Sequence, residues 1–291
     1  ALFYNALNIL LEADYGKLRR LRASAPSWQA AWEIFPENLR QPVQPEKEWR
    51  KLESAGLHII MAEEDSFPPL LREIPLPPFG IYVRDALPEP DGKTIAIVGT
   101  RRATPGGKET ATRFGAELSN AGINIVSGLA FGIDAAAHTG ALQTKTPTFA
   151  VLANGLDTIY PRTHESLAKR IIENGGGLIS EYPLGAPSWP YRFLARNRIV
   201  SGLAQGVIII EAPIDSGAMA TARFALDQNR EVLVVPGPIN HPNFTGSHKL
   251  IREGAELITS VDDVFGALGI TAKDRSADIS EATPEEGLVL A

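Results

Sequence analysis

The sequence of 291 residues contains no cysteine. Disulfide bonds, cysteine–zinc sites and a thiol nucleophile are therefore excluded, and a reducing cytoplasm is the predicted location. Long apolar runs are missing as well, since none approaches the roughly 20 residues that a membrane helix needs. The first residues show no basic-then-apolar signal pattern, so we predict neither export nor a membrane partner.

An excess of positive charge is also missing. The formal net charge is −6 and the sequence pI is about 5.5, whereas domains that bind nucleic acid are often basic. A local basic patch is enough for such binding, so the net charge does not exclude it. The apolar share of 44% and the charged share of 21% are typical of a soluble globular protein. The length allows one large and one small domain.

Residues 1–60 predict a small N-terminal helical domain. Leucines and tryptophans recur near helical spacing from Leu7 to Trp32, and Pro36 is expected to end a helix. Residues 61–92 hold many prolines, which excludes a regular helix, but they also hold many apolar side chains. We therefore predict a connecting segment that packs against the next domain.

From residue 93 the pattern changes to short apolar strands that alternate with helix-compatible stretches. The predicted strands are 94–98, 123–126, 148–152, 178–180, 207–210 and 232–235. This alternation predicts βαβ units and a mainly parallel sheet, and continuously apolar strands indicate helices on both faces. Residues 93–268 are thus predicted to form an α/β domain with a Rossmann-like, doubly wound sheet. The polar residues 269–291 are predicted to be a linker or tail.

Small, hydroxyl-bearing and basic residues follow the predicted strands, where a doubly wound sheet binds its ligands. The candidate site residues are Gly99, Thr100, Arg101, Ser127, Gly128, Phe131, Gly132, Ser216, Gly217 and Thr221, with Arg196, Asn197 and Arg198 in one predicted helix and Lys169 in another. Glycines let the backbone approach a ligand, hydroxyl and N–H groups at helix starts bind anions, and arginine suits phosphate. The sequence therefore predicts a site for the phosphate groups of a nucleotide or a nucleic acid.

The same motifs, in this order and spacing, resemble the DNA processing protein A family, also called DprA or Smf. The resemblance rests on residues 97–101, 125–134 with His138, 155–157, 160–161, 180–183, 196–199, 211–212, 216–217 with Thr221, 235–237, 250–251 and 254–255. It implies a Rossmann-like domain whose positive pocket binds single-stranded DNA, with no cofactor, metal or catalytic residue. It also implies a homodimer, delivery of incoming DNA to the RecA recombinase in natural transformation, a SAM-like N-terminal domain, and a winged-helix-like domain after residues 269–291.

A nucleotide hydrolase of the phosphoribohydrolase type is the main alternative. Those enzymes resemble this fold but use a Pro-Gly-Gly-x-Gly-Thr phosphate loop, and the corresponding residues 216–221 lack two of its three glycines. A dinucleotide-dependent oxidoreductase is disfavoured because Gly99 does not begin a G-x-G-x-x-G fingerprint. The P-loop motif G-x-x-x-x-G-K-[ST] is missing too, which disfavours an ATPase of that type.

Several charged side chains leave two roles open. Arg196 and Arg198 are two residues apart and point to different faces of a helix. This predicts that at least one contacts DNA, and that one of them pairs with Glu181 or Glu211. Lys169 either extends a basic stripe or lies on a solvated helix face.

Three further groups of residues also have competing interpretations. Asp134 and His138 share a helix face, but without a matching nucleophile a role for Asp134 in fixing a loop is favoured over a catalytic pair. Glu211 is expected to form an ion pair with an arginine rather than to act as a general base. The third group consists of apolar residues that form either a dimer surface or part of the core: Ile239, Phe244, Leu250 and Ile251.

Overall fold

Nine strands form one sheet in the computed structural model, which describes residues 1–271. Their bounds are β1 Leu57–Met61, β2 Gly80–Asp85, β3 Thr94–Gly99, β4 Asn124–Ser127, β5 Thr148–Leu152, β6 Gly177–Ser180, β7 Gly206–Ile210, β8 Glu231–Val234 and β9 Glu256–Leu257. The predicted linker or tail at 269–291 lies outside the described residues from residue 272 onward.

Thirteen α-helices accompany the sheet within the described part of the chain. Their bounds are α1 Leu2–Leu10, α2 Tyr15–Ala23, α3 Trp28–Ile34, α4 Glu37–Arg40, α5 Pro45–Ser54, α6 Pro69–Arg72, α7 Pro105–Asn120, α8 Ile133–Ala141, α9 Glu165–Glu173, α10 Pro190–Gly202, α11 Gly217–Asp227, α12 Thr245–Arg252 and α13 Val261–Leu268. No helix of residues 1–271 is long and apolar enough to cross a membrane.

The strand order is β1-β2-β6-β5-β4-β3-β7-β8-β9. Strands β3 to β9 run parallel to one another, and β2 is antiparallel to both of its neighbours. From β3 the chain builds the sheet in one direction through β4, β5 and β6, and it then places β7 on the other side of β3. The order therefore reverses between β3 and β7, and such a switch point opens a crevice beyond the strand ends.

The central strands are apolar on both sides because helices cover both faces of the sheet. In β3, Ile95 and Ile97 point toward α7, α8 and α13, whereas Ala96 and Val98 point toward α10 and α11. All four of these side chains are buried. The prediction of a doubly wound, mainly parallel sheet is confirmed.

The N-terminal helices pack on the same sheet instead of standing apart from it. Tyr4 and Trp28 share a buried cluster with Tyr82 of β2 and Leu152 of β5. The predicted helical region therefore ends with α5, because β1 begins at Leu57 and pairs with β2.

The proline-rich residues 61–92 pack as expected, since Phe67, Leu71 and Ile74 are buried in the cluster that includes α10. This segment also supplies the whole of β2, which the sequence did not predict. The predicted boundary at residue 60 falls inside β1, while the division into domains itself stays a prediction.

Candidate nucleic-acid interface

An open pocket of about 580 Å³ lies at the switch point, beyond the ends of β3 and β7. Among the residues that line it are nine of the predicted site residues: Gly99, Thr100, Arg101, Gly128, Arg196, Asn197, Ser216, Gly217 and Thr221. The strand ends, the first turn of α11 and one face of α10 thus bring together groups that are far apart in the sequence.

Arg101 lies at the rim of this pocket and is exposed to solvent. Its guanidinium carbon is 4.6 Å from the centre of the Phe193 ring, close enough for a cation–π contact. No carboxylate within residues 1–271 forms an ion pair with Arg101. Its charge is therefore available to an anion that enters the pocket.

Arg196 is a buried part of the pocket wall. Its Nη1 donates hydrogen bonds to the carbonyl of Gly128, at 2.8 Å, and to that of Val151. Burial lowers the pKa of Arg196 to about 10, against the attraction of Asp134, so the side chain still carries its charge at neutral pH. Arg196 both holds the loop after β4 in place and adds positive potential beneath the pocket.

Asp134 fixes the same loop from the other side. Its Oδ2 accepts hydrogen bonds from the backbone N–H groups of Gly128, at 3.1 Å, and Ala130, at 3.4 Å. Burial raises the pKa of Asp134, and the charge of Arg196 opposes that shift. The structure therefore agrees with the loop-fixing role that the sequence favoured.

His138 takes no part in a pair with Asp134. The ring is fully buried, and its Nδ1 donates to the hydroxyl of Thr148 at 2.8 Å, because that hydroxyl itself donates to the carbonyl of Ile125. Burial, with the nearby positive groups, lowers the pKa of His138 to about 3. Within the described residues the catalytic pair is not assembled.

Arg198 lies on the other side of α10 and does not line the pocket. Its Nη2 donates to Glu181 Oε1 at 2.6 Å, and its Nε donates to the carbonyl of Leu76 at 3.0 Å. The expectation that one of the two arginines pairs with Glu181 is confirmed, and Arg198 is that residue. Its placement speaks against the predicted contact with DNA, because both partners of the ion pair are buried.

Lys169 also lies away from the pocket. It is exposed on α9 and is 3.6 Å from Glu173, one helical turn along. Of the two interpretations that the sequence left open for Lys169, a basic stripe or a solvated helix face, the structure agrees with the solvated helix face.

Ser127, Gly132 and Phe131 were predicted to bind phosphate but do not line the pocket. The Ser127 hydroxyl is fully buried and donates to the carbonyl of Ile97 at 2.6 Å, which ties β4 to β3. Phe131 is 45% exposed and meets His164 edge-to-face, with the ring centres 5.0 Å apart. Phe131 is thus a surface side chain beside the pocket, and Ser127 is part of the sheet core.

Three of the four candidate glycines, those outside β3, differ in what surrounds them. A Cβ on Gly128 would lie 2.5 Å from Arg196 Nη2, and one on Gly132, where φ is +79°, would lie 2.3 Å from the carbonyl oxygen of Thr100. Packing against the protein itself therefore explains both. A Cβ on Gly217 would meet only Asn197 Nδ2, at 3.8 Å, so this position alone faces open space.

Gly217 begins α11, and the first turn of this helix faces the pocket. The opening N–H groups of a helix have no intrahelical acceptors and lie at the positive end of its dipole. Asn197 Nδ2 and the Thr221 hydroxyl both donate to the carbonyl of Gly217, each at 3.2 Å, which fixes this turn. The turn is therefore suited to bind a phosphate group.

Glu211 follows β7 directly and is fully buried. Its carboxylate accepts hydrogen bonds from the N–H of Thr104 at 2.9 Å, from the Thr104 hydroxyl, and from Asn243 Nδ2 at 2.9 Å. The expectation that Glu211 forms an ion pair with an arginine is wrong. Its carboxylate is bonded instead by Thr104, which caps α7, and by the side-chain amide of Asn243. Glu211 also does not line the pocket, as a general base would have to.

Two apolar side chains at the pocket, one partly exposed and one exposed, were not among the candidates. Phe193 and Leu194 of α10 line it beside Tyr160, whose ring centre is 5.4 Å from that of Phe193. Tyr160 and Leu194 are each exposed by more than two fifths. Because α10 buries arginines and exposes apolar residues such as Leu194, its hydrophobic pattern does not show which face packs inward.

Known proteins of similar sequence were found for most of the chain. Residues 58–269 match the family described as DNA recombination-mediator protein A. The protein Smf of Escherichia coli is 42% identical over 214 residues, which cover 74% of this chain and 57% of that protein. The DNA processing protein DprA of Bacillus subtilis is 38% identical over 214 residues, or 73% of this chain and 72% of that protein.

Two solved structures share the fold. DNA processing protein A from Streptococcus pneumoniae has a TM-score of 0.70 and 33% identity, with 81% of each chain covered. DNA processing protein A from Helicobacter pylori, whose structure gave insight into its unique single-stranded DNA binding mode, has a TM-score of 0.64 and 30% identity, with 73% of this chain and 95% of that chain covered. The chain spans about half the length of several curated relatives, 57% in Escherichia coli and 45% in Mycobacterium tuberculosis.

Proposed function

The chain belongs to the DNA recombination-mediator protein A family, and from that premise we propose that it binds single-stranded DNA at the switch-point pocket without sequence preference. The observation that supports this most directly is the set of groups around the pocket. Arg101 at the rim, Arg196 in the wall and the first turn of α11 all favour phosphate, a group that every nucleotide of a strand carries.

Two aromatic rings at the pocket supply the second half of such a site. Proteins that bind single strands combine a positive groove for the backbone with side chains on which bases stack. Phe193 and Tyr160 are adjacent rings, and Arg101 lies over one of them. A strand whose phosphates meet Arg101 would therefore place a base against these rings.

We propose that the site binds DNA and does not cut it. Three buried groups near the pocket that could serve as a general acid or base are engaged in structural hydrogen bonds. Asp134 accepts from the loop after β4, His138 donates to Thr148, and Glu211 accepts from Thr104 and Asn243. The phosphoribohydrolase alternative has no comparable support.

The wider role is a proposal as well. The description of the family as a recombination mediator supports delivery of bound DNA to the RecA recombinase during natural transformation, in the cytoplasm. A homodimer is supported by Ile239, which is 91% exposed, and by the half-buried Ile251. Phe244 and Leu250, which shared the predicted surface, are buried and belong to the interior.

The direct test is fluorescence anisotropy of a labelled oligothymidylate over a salt series, without ATP or metal. Binding that saturates, weakens steeply with salt and leaves the oligonucleotide intact is the expected result. A parallel incubation with AMP should release no free base. Failure to bind the oligonucleotide at low salt, or release of adenine from AMP, would favour the nucleotide hydrolase over the DNA-binding protein.

A further inference from the structure

A second pocket, here called the tyrosine pocket, lies on the opposite side of α10 from the switch-point pocket. It has a volume of about 410 Å³, and Tyr15, Tyr182 and Tyr191 are among the residues that line it. Helix α10 contributes Tyr191, Ala195 and Arg198, which have the spacing of one helix face. Another face of the same helix lines the switch-point pocket. One helix therefore forms the wall between the two pockets.

The N-terminal end of α10 joins the two pockets by an exposed apolar surface. Pro190 lines the switch-point pocket, and Tyr191, the next residue, lines the tyrosine pocket. Tyr191 is 57% exposed, its ring centre is 5.7 Å from that of Trp189, and Leu194 follows it one turn along the helix. Trp189 and Leu194 are exposed as well. Apolar rings that face water beside a DNA pocket offer a surface on which bases can stack.

Arg192 is a buried cation beneath this surface. Its guanidinium carbon is 4.6 Å from the ring centre of Trp189 and 4.6 Å from that of Tyr182. It donates to the carbonyls of Pro187 and Glu12, each at 2.9 Å, which ties the loop between α1 and α2 to the start of α10. Among the described residues no carboxylate forms an ion pair with it. Its charge therefore adds positive potential to the surface that joins the two pockets.

Helix α2 borders the tyrosine pocket and carries an excess of positive charge. Its cations are Lys17, Arg19, Arg20 and Arg22, and it contains no acidic residue. Lys17 lines the pocket. Burial raises the pKa of the Tyr15 hydroxyl, and nearby positive charges, that of Arg19 among them, oppose the rise. In a chain with a net charge of −6, α2 is thus a local basic patch within electrostatic reach of the pocket.

The carboxylates at the tyrosine pocket do not cancel this charge. Glu181 is paired with Arg198, and Asp14 accepts from the N–H of Lys17 and lies 3.9 Å from its ammonium group. Glu12 remains, against two exposed arginines of α2, residues 19 and 20, that form no ion pair within residues 1–271. Aromatic rings beside a surplus of positive charge are the two features that single-strand binding sites combine.

We propose that the tyrosine pocket is a second subsite for the same DNA strand, which leaves the switch-point pocket over the start of α10. One base stacks on Tyr191 where the strand crosses the helix, another enters the tyrosine pocket beside Tyr15, and phosphates lie against Lys17 and Arg19. The pockets are separated by the width of α10, about 10–12 Å with its side chains, which a few nucleotides span. This rests on the proposed DNA binding and extends it by giving the N-terminal helices a part in it.

The experiment measures Kd by fluorescence anisotropy for oligothymidylates of about two to twelve nucleotides. Arg101→Ala should raise Kd at every length. Tyr191→Ala should leave Kd for the shortest strands unchanged and raise it at least about fivefold for the longest, as the loss of one stacked base does. Arg19→Ala should also act only on the longer strands, and it should lower their slope of log K against log salt by about 0.7.

Two matched controls come from the same N-terminal region. Ile34 is 57% exposed, as Tyr191 is, Arg50 is an exposed arginine of α5, and neither lines a pocket. Ile34→Ala and Arg50→Ala should leave Kd unchanged at every length. A Tyr191→Ala protein that loses affinity equally at all lengths, or that behaves as Ile34→Ala does, would overturn the proposal. So would a gain of affinity with length that survives Arg19→Ala, because one strand that bridges two copies of the chain would explain it.

Photocrosslinking separates this proposal from the proposed function. The probe is an oligothymidylate with a single iodouracil, moved along the strand from one end to the other. Crosslinks to Phe193 from one position, and to Tyr191 or Tyr15 from another, are the expected result. Crosslinks to Phe193 alone would overturn the second subsite and retain the proposed function. Crosslinks to Tyr191 or Tyr15 without any to Phe193 would refute binding at the switch-point pocket and retain the tyrosine pocket as a DNA site.

Discussion

Replacement of Arg101 by alanine tests the pocket at its most accessible point. The side chain is exposed, contacts Phe193 and forms no ion pair within the described residues. Its loss should therefore change the free energy of unfolding by no more than about 0.5 kcal/mol, as is usual for surface substitutions. A change in DNA binding would then reflect the missing guanidinium and not a damaged fold.

The expected loss of affinity follows from one charged contact with a phosphate. Hydrogen bonds to charged groups contribute about 1.5–3 kcal/mol, which corresponds to a rise in Kd of roughly 10- to 100-fold. One phosphate fewer should also lower the slope of log K against log salt by about 0.7 for a single strand. Both changes should be the same for oligonucleotides of different sequence, because the backbone is common to all of them.

The assay is fluorescence anisotropy with oligothymidylate, oligocytidylate and a mixed sequence, each at several salt concentrations. Lys169→Ala is the control, since Lys169 is exposed and lies outside the pocket beside Glu173. An Arg101→Ala protein with wild-type affinity and salt slope would refute the assignment. A loss confined to one sequence would show that Arg101 contacts a base and not the backbone.

Three further substitutions have distinct expected outcomes. Glu181→Ala leaves the buried Arg198 without its carboxylate partner. Urea titration should show that it lowers the free energy of unfolding by about 3–5 kcal/mol. A loss below about 1 kcal/mol would contradict a buried ion pair. Gly217→Ala adds a methyl group that meets open space, so the free energy of unfolding should stay unchanged. The Kd for the oligonucleotide should rise roughly tenfold, which corresponds to about 1.4 kcal/mol. An unchanged Kd would place the DNA away from α11. Burial lowers the pKa of His138 from 6.5 to about 3, so the unfolded chain binds the extra proton between these values and stability falls as pH drops through that range. In urea titrations at several pH values His138→Gln should flatten this dependence, and an unaltered slope would assign the acid sensitivity to other groups.

The parallel core could be predicted because its signals are local. The strand at residues 148–152 was predicted with the same bounds that β5 has, since a continuous apolar run stands between turn residues there. β2 was missed because prolines surround it and because antiparallel pairing with β6, far along the chain, makes it a strand. β9 is only two residues long and forms by pairing with β8, so no periodicity could reveal it.

The candidate site was predictable to the extent that strand ends meet at one edge of a sheet. This rule placed Thr100, Arg101 and Gly217 correctly at the pocket. It could not decide between Arg196 and Arg198, because spacing shows that they face apart but not which of them faces the pocket. In the structure Arg196 faces the pocket, and Arg198 faces away from it, where it pairs with the buried Glu181.

The antiparallel strand β2 has a consequence for how the protein can be divided. Its backbone pairs with β6 from Tyr82 opposite Ser180 to Asp85 opposite Gly177, and β1 covers its far side. A fragment that begins at residue 93 would leave the edge of β6 with unpaired N–H and C=O groups, and such an edge recruits strands from other chains. Aggregation of that fragment is the expected result, whereas a fragment that begins before Leu57 keeps the edge closed. The family match starts at residue 58, within β1, and therefore includes the whole of β2, the strand that closes the edge of β6.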